Sequence, residues 1–170
     1  MLKQLLAPCS IVRVQTWDHD AIAPLGVEGV LGVAWPQKIG TVATGRAEVI
    51  CVGPTDWLVI TADPDATAWL QGLDAAFKAS PFRVTNVSQA LARIEIEGPE
   101  VRDLLAKGCA LDLHPLCFAP GRSARTRFAG MPVIVHCTGL FTFECIVTLS
   151  YADYLLSWLA DATLEFEPVN

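Results

Sequence analysis

The residues best suited to chemistry lie close together between Lys107 and Gly121, a segment that we call the candidate loop. Four residues separate Cys109 from His114, and two separate His114 from Cys117. Thiolates and imidazoles are the ligands that zinc prefers, but structural zinc sites are built from close pairs such as C-x-x-C, which the loop lacks. We therefore interpret His114 as a loop histidine and the two cysteines as small buried thiols, and we predict no metal site.

The wider set of reactive side chains does not match a known active-site motif. The sequence has no G-x-S-x-G motif, no Walker loop and no dinucleotide-binding glycine pattern. The triplet Asp18-His19-Asp20 is typical of a solvated turn, and Glu95 and Glu97 share one face of a predicted strand. Nucleophilic catalysis by a cysteine that the fold brings close to a histidine is left open as an alternative. We predict no catalytic and no cofactor-binding residue in this chain.

A strand must lead into the region of the candidate loop. Ala92, Ile94 and Ile96 alternate with charged residues, which is the period of a half-buried strand. The pattern stops at Gly98-Pro99, where the proline cannot donate to a ladder but suits the first turn of a helix. The sequence therefore predicts a strand that ends sharply at residue 97.

One short helix should then connect this strand to the candidate loop. Val101, Leu104 and Leu105 fall on one helical face, and Gly108 is placed to end the helix. The helix is therefore anchored by its apolar face, and the loop after it is the segment that remains available for contacts.

Three arginines follow the candidate loop on a chain that is otherwise acidic. In a strand that begins at Ala124, Arg125 and Arg127 share one face, and Arg122 lies just before them. Guanidinium groups suit carboxylates and other anions. We predict that Arg122, Arg125 and Arg127, together with His114, contact a protein partner or an anion; an exposed strand face with no ligand stays open.

The rest of the chain alternates strands with a few helices. Strands are predicted over residues 11–17, 46–52, 56–61, 82–87, 132–137 and 141–149, with an edge strand over 164–167. Helices are predicted over residues 22–33, from Asp63-Pro64 to Ser80, and from Ser150, which forms a capping-box pattern with Asp153. Many hairpins with few helices indicate an α+β fold with antiparallel sheets.

The apolar faces of two late elements are also predicted. In the strand 141–149 the residues expected to share one face are Phe141, Phe143, Cys145 and Val147. In the last helix the expected apolar stripe is Leu155, Trp158, Leu159 and Ala162. A length of 170 residues suits a single domain, 1–170, which could divide into halves of about residues 1–80 and 81–170.

Composition narrows the classes of partner. The chain is 52% hydrophobic and 18% charged, with a formal net charge of −6. The negative charge argues against nucleic acid, and no apolar run reaches the roughly 20 residues that span a bilayer. Six cysteines without a secretory signal predict reduced thiols and a cytoplasmic location. The apolar surplus indicates either burial against a protein partner or a large β-rich core.

Three stretches of the sequence resemble the gamma subunit family of heterotetrameric sarcosine oxidase. They are VGPTDWLVI at residues 52–60, VTNVSQALARIEIEGPEVRDLLAKGCALDLHPLCFAPGRSARTRFA at residues 84–129 and FTFECIVTLSYADYLLSWLADA at residues 141–162. The pattern from Gly98-Pro99 through LDLHP to Gly121 is long and specific. The resemblance covers about residues 49–162, and the first forty residues are only loosely similar.

The resemblance implies an α+β fold like the folate-binding domain of the glycine-cleavage aminomethyltransferase, with two ferredoxin-like halves. It implies a complex that oxidises sarcosine to glycine, with tetrahydrofolate accepting the one-carbon unit and oxygen accepting electrons. FAD, FMN, NAD and tetrahydrofolate are then expected on other subunits and none on this chain.

The same resemblance implies a non-catalytic subunit that assembles with alpha, beta and delta subunits, without contacts to nucleic acid or membrane. Formation of a homo-oligomer by the isolated chain is left open as an alternative. A stand-alone folate- or anion-binding protein of the same fold also stays open as the alternative function.

Overall fold

The computed structural model describes residues 1–18, 26–63, 65 and 67–166 of the chain. Its strands are β1 (Leu2–Leu5), β2 (Ser10–Thr16), β3 (Val42–Thr44), β4 (Glu48–Gly53), β5 (Asp56–Thr61), β6 (Phe82–Asn86), β7 (Leu91–Glu97), β8 (Arg122–Phe128), β9 (Met131–Cys137) and β10 (Thr142–Thr148). Its helices are α1 (Gly26–Leu31), α2 (Thr67–Phe77), α3 (Val101–Ala106) and α4 (Ala152–Ala162), with short 3-10 turns at Leu149–Tyr151 and Leu164–Phe166.

The chain folds as two compact units. One, called the C-terminal unit, combines Met1–Leu6 with Ala90–Asn170, and the other, called the N-terminal unit, comprises Ala7–Gln89. Each unit has one five-stranded antiparallel sheet. The predicted α+β class with antiparallel sheets and helices is therefore confirmed.

In the C-terminal unit the strand order is β1-β7-β10-β9-β8. The predicted alternation along β7 is confirmed, since Ala92, Ile94 and Ile96 are buried while the residues between them are less so. The same sheet face carries Phe143 and Val135, and this apolar face forms one continuous core with the helices. Burying side chains of this size contributes about 1.5–3 kcal/mol each.

Helices α3 and α4 cover that face with the stripes that the sequence predicts. Val101, Leu104 and Leu105 of α3 are fully buried, as are Leu155 and Leu159 of α4. Trp158 and Ala162 are half-buried against the same core, and the Trp158 ring meets Phe128 edge-on with the ring centroids 4.9 Å apart. Both helices are short, so packing on the sheet is what stabilises them.

In the N-terminal unit the strand order is β3-β4-β5-β2-β6. An aromatic cluster forms the centre of its core: the ring centroids of Trp35 and Trp57 are 5.1 Å apart, and those of Phe77 and Phe82 are 4.7 Å apart. The Trp57 indole donates a hydrogen bond of 2.8 Å to the Pro36 carbonyl oxygen, which satisfies its polar end inside the core.

Several predicted boundaries are wrong at helix starts and at the C-terminal end. Ser150 lies in a 3-10 turn, and α4 begins after Tyr151 without a side-chain cap, so the capping box does not form. Helix α2 begins at Thr67 rather than at Asp63-Pro64, because the Asp63 and Asp65 carboxylates accept successive backbone hydrogen bonds of 2.9 Å in the turn before it. Residues 164–166 form a 3-10 turn instead of an edge strand.

Other predictions need smaller corrections. The strand predicted from residue 46 begins at Glu48, and Phe141 is 50% exposed because β10 begins one residue after it. Helix α1 spans Gly26–Leu31, while residues 22–25 of its predicted range, like His19 and Asp20 of the charged triplet, lie outside the described residues. Strands β1 and β3 are absent from the predictions. No helix in the described ranges is long and apolar enough to cross a membrane.

The N-terminal strand β1 should be a main contributor to the stability of the C-terminal unit. It pairs with β7 from Leu2 to Leu5, and the Lys3 ammonium donates to the Leu159 carbonyl at 3.4 Å and to the Thr163 hydroxyl. Deleting residues 1–6 removes several ladder hydrogen bonds worth about 1 kcal/mol each. We expect urea unfolding to show a loss of roughly 3 kcal/mol, with faster amide exchange along β7.

The matched control is Gln4→Ala, which keeps the ladder and removes one exposed side-chain hydrogen bond to Glu95. Its stability should stay within about 0.5 kcal/mol of the parent chain. The β7 residues whose backbone bonds to β1 are the odd-numbered ones, so unchanged exchange at the Glu95 and Glu97 amides in the deletion variant would contradict the role given to β1.

Candidate functional site

Helix α3 and the backbone after it hold the candidate loop against the sheet. The helix ends at Ala106, and the Gly108 amide donates to the Leu105 carbonyl at 3.1 Å, so the predicted stop is confirmed. The reason is close packing: a Cβ atom on Gly108 would lie 2.9 Å from the Phe128 ring and 3.1 Å from the Ala129 nitrogen. Only glycine fits this position without displacing β8.

The candidate loop is anchored from within by one arginine that the sequence predictions did not single out. The Arg102 guanidinium donates to the carbonyl oxygens of Leu113, Phe118 (3.1 Å) and Leu140 (3.3 Å). It also lies 4.8 Å from the centre of the Phe143 ring. A single side chain therefore ties the loop to the hairpin between β9 and β10. An arginine inside an amphipathic helix pattern gives no sequence signal for this role.

The large apolar side chains of the candidate loop are buried or half-buried, except that of Leu116, which is exposed to solvent. Cys109, Leu113 and Phe118 are buried, whereas Leu116 is 90% exposed. His114 is exposed, and its Nδ1 atom accepts a hydrogen bond of 3.3 Å from the Leu116 amide. The exposed end of the loop thus offers an apolar side chain beside an imidazole, a combination suited to contact with a protein surface.

Cys109 is buried as predicted, but Cys117 is exposed, so the prediction of a buried thiol is wrong there. Local hydrogen bonds leave the Cys117 thiol weakly reactive. The Asp112 carboxylate accepts a hydrogen bond of 3.0 Å from the His114 amide, and its hydrogen bond with Cys117 raises the pKa of that thiol. A thiol whose pKa is raised is largely protonated near neutral pH and is a poor nucleophile. In the part of the chain that the structure describes, Cys109, His114 and Cys117 do not form a three-ligand group.

Three buried thiols, those of Cys51, Cys137 and Cys145, are also protonated near neutral pH. Burial raises the pKa of Cys51 and Cys137, and it raises the pKa of Cys145 further. The Cys137 thiol donates a hydrogen bond of 3.1 Å to the Gly139 carbonyl oxygen, so it closes the turn of the hairpin. These cysteines therefore act as small core residues.

Arg125 and Arg127 lie on strand β8, as predicted, and β8 begins at Arg122, two residues before the predicted start. Arg125 and Arg127 are exposed, Arg122 is half-buried, and the Arg127 guanidinium donates to the Gly130 carbonyl oxygen at 2.8 Å. The hydrogen bond that the His114 ring accepts comes from its own loop, from the Leu116 amide. The structure places the four residues on consecutive segments, the loop and the strand.

A buried polar row crosses the C-terminal sheet and was not predicted as a group. Ser123, His136 and Glu144 occupy paired positions on β8, β9 and β10, and all three are buried. The Arg93 guanidinium donates two hydrogen bonds to the Glu144 carboxylate, one of them 2.6 Å long. Burial lowers the pKa of His136, the nearby Glu144 partly offsets this, and Arg93 lowers it further. His136 is therefore held neutral in the folded protein.

Comparison with known proteins gives matches along most of the chain. Residues 17–165 match the model of the sarcosine oxidase gamma subunit family. The chain is 33% identical over 151 residues to sarcosine oxidase subunit gamma of an Arthrobacter species, covering 87% of this chain and 70% of the relative. The gamma subunit of Corynebacterium sp. strain U-96 gives the same identity and the same coverage.

Solved structures agree with these sequence matches. The heterotetrameric sarcosine oxidase from Corynebacterium sp. U-96, in complex with pyrrole 2-carboxylate, contains a chain that superposes with a TM-score of 0.90 at 25% identity, covering 99% of this chain and 86% of that one. The glycine cleavage system aminomethyltransferase T from Bartonella henselae has a TM-score of 0.64 at 12% identity, with 92% and 44% coverage, a likeness in fold alone. The predicted fold relationship is thus confirmed.

Replacing Arg102 by methionine should destabilise the chain and free the candidate loop. The change keeps an apolar stem on Phe143 but leaves three carbonyl groups without their donor, at a cost of about 2–3 kcal/mol. Urea unfolding measures the loss, and limited proteolysis between residues 109 and 121 measures the loop's release. Arg83→Met, at an exposed strand position, is the matched control with no expected change. Equal stability of the two variants would show that Arg102 does not anchor the loop.

The stability of the chain should fall as the pH drops below about 6.5, the ordinary histidine value. The folded-state pKa of His136 is lowered, so in this range the unfolded chain binds a proton that the folded chain excludes. Free energies of unfolding at pH 7.5 and pH 5.5 should therefore differ. The variant His136→Gln should show a smaller difference between the two pH values, and an equal difference would remove His136 as its cause.

Proposed function

The chain belongs to the sarcosine oxidase gamma subunit family, and on this premise we propose that it is a non-catalytic assembly subunit of a heterotetrameric, flavin-dependent sarcosine oxidase. The complex would oxidatively demethylate sarcosine to glycine and transfer the one-carbon unit to tetrahydrofolate. The observation that carries the proposal is the superposition on a chain of a heterotetrameric sarcosine oxidase over 99% of this chain.

The chemistry of the described residues supports a role without catalysis. The pKa of Cys117 is raised by Asp112, and the pKa values of Cys51, Cys137 and Cys145 are raised by burial. His114 accepts a hydrogen bond from its own loop instead of orienting a nucleophile. These groups have structural roles in the fold, and the exposed ones suit contact with another protein.

The partners of this chain in the proposed complex would be the other oxidase subunits, and those subunits would hold the cofactors. The partners would be alpha, beta and delta subunits, in the cytoplasm, and FAD, FMN, NAD and tetrahydrofolate would be bound by those subunits. On this chain the contact surface would include the candidate loop and the arginines of β8. The support is the exposure of these groups: Leu116 of the loop is 90% exposed, and Arg125 and Arg127 of β8 are exposed as well.

A second function, binding of folate or another anion by this chain alone, has one observation in its favour. Arg125 and Arg127 present guanidinium groups at exposed positions of one strand face. Calorimetry with tetrahydrofolate separates the two functions: the assembly role predicts no heat at millimolar ligand, while saturable binding that Arg125→Ala weakens would favour the anion-binding role.

Co-expression with the other oxidase subunits tests the assembly function. The chain should co-elute with them, and the double variant Arg125→Glu, Arg127→Glu should bind them about tenfold more weakly, since reversing two contacts at an interface rim costs on the order of 1.4 kcal/mol. The control is Lys38→Glu, an exposed charge reversal outside the proposed surface. A chain that elutes alone, beside subunits that are fully active without it, would refute the proposal.

A further inference from the structure

Strand β6 forms one edge of the sheet in the N-terminal unit. It pairs with β2 on one side, and none of the described residues adds a strand on its other side. An edge strand presents unpaired backbone N–H and C=O groups, which are a template for pairing with another chain. This edge is outside the surface assigned to the candidate loop and β8.

Two backbone hydrogen bonds show which residues of β6 bond to β2 and which direct their backbone groups to the open edge. The Val87 amide donates to the Ile11 carbonyl at 2.9 Å, so odd-numbered residues of β2 bond to β6. The Thr16 amide donates to Thr55 on the opposite side at 3.1 Å, as this alternation requires. On β6 the backbones of Arg83 and Thr85 therefore bond to β2, and the outward residues are Phe82, Val84 and Asn86.

An open groove lies beside this edge, between β6 and the C-terminal half of α2. Its volume is about 490 Å³, and its lining includes Ala75, Phe77, Phe82 and Val84. Phe77 is buried in the core and stacks near Phe82, so the apolar floor is already formed. The side chains of Phe82 and Val84 line the groove, and the backbone N–H and C=O groups of the same two residues face the open edge. The groove and the open edge thus form one continuous site.

The charges around the edge favour an acidic occupant. Lys78 lines the groove from α2, and Arg83 projects from the other face of β6, since neighbouring strand residues alternate between faces. Both are exposed, and neither forms an ion pair with a described residue. Asp74 is the acidic residue of the lining, one helical turn before Lys78. Two cations thus flank the edge of a chain whose net charge is −6.

We propose that β6 receives an extended segment of another oxidase subunit as an added strand, in which an apolar residue is flanked by acidic residues. The apolar side chain would fill the groove, one carboxylate would meet Lys78, and a residue on the opposite face would meet Arg83. This inference rests on the proposed function, which supplies the partner subunit. A second copy of the chain, paired about Val84, would set Thr85 against Arg83, and the β6 strand of that copy has no carboxylate to meet either cation.

Hydrogen exchange of single amides tests the added strand directly. In the isolated chain the amides of Phe82, Val84 and Asn86 should exchange fast, while those of Arg83 and Thr85 are protected by β2. In the purified oxidase the three outward amides should exchange at least about tenfold more slowly. Mass spectrometry with fragmentation that resolves individual amides provides the measurement, on the full chain and on the full assembly.

Two variants test the groove itself. Ala75→Trp fills the groove from an exposed helix position, and Lys78→Glu reverses its cation. Each should weaken binding of the chain to the other subunits by about tenfold, while Lys38→Glu should not. Circular dichroism of each variant checks that α2 remains folded, and Lys78→Glu keeps the test valid if the tryptophan disturbs the helix.

The possible outcomes separate this inference from the proposed function. An assembly that forms normally while the three outward amides keep their fast exchange would overturn the added strand and leave the assembly function intact. Protection of these amides in the isolated chain that rises with its concentration would assign the edge to a second copy and would also overturn the inference. If the parent chain forms no assembly, the proposed function and the added strand fall together.

Discussion

The contact of one guanidinium group with three backbone carbonyls is the interaction on which the candidate loop depends. Arg102 reaches from α3 to Leu113, Phe118 and Leu140, and its planar group rests near the Phe143 ring. Since α3 is buried along its apolar face, the helix holds this arginine in place. The loop is therefore stabilised by the core that it covers, and its exposed end can be offered to another protein without loss of order.

Residues whose types suggest catalysis have structural roles in this chain. The pKa of Cys117 is raised by a hydrogen bond to a carboxylate, and the pKa values of Cys137 and Cys145 are raised by burial. The histidine in the sheet is held neutral beside a paired Glu144 and Arg93. The chain belongs to the gamma subunit family, and these pKa directions support the non-catalytic role proposed for it.

Much of the fold follows from local patterns, and what does not follow depends on distant contacts. The alternation along β7 and the stripes of α3 and α4 are readable because burial repeats with the period of each element. Strand β1 was missed because its partner, β7, lies some ninety residues along the chain. The polar row of Ser123, His136 and Glu144 was missed because the exact register of three neighbouring strands, which the sequence pattern does not give, sets these residues side by side.

Turnover by the intact oxidase, with the exposed groups of the candidate loop removed, tests the central claim most directly. The double variant His114→Ala, Cys117→Ser should leave kcat and KM for sarcosine within about twofold of the parent, when rates are measured on assemblies of equal composition. A loss of about a hundredfold or more in kcat, with the assembly intact, would mean that this chain contributes to the chemistry and would contradict the account.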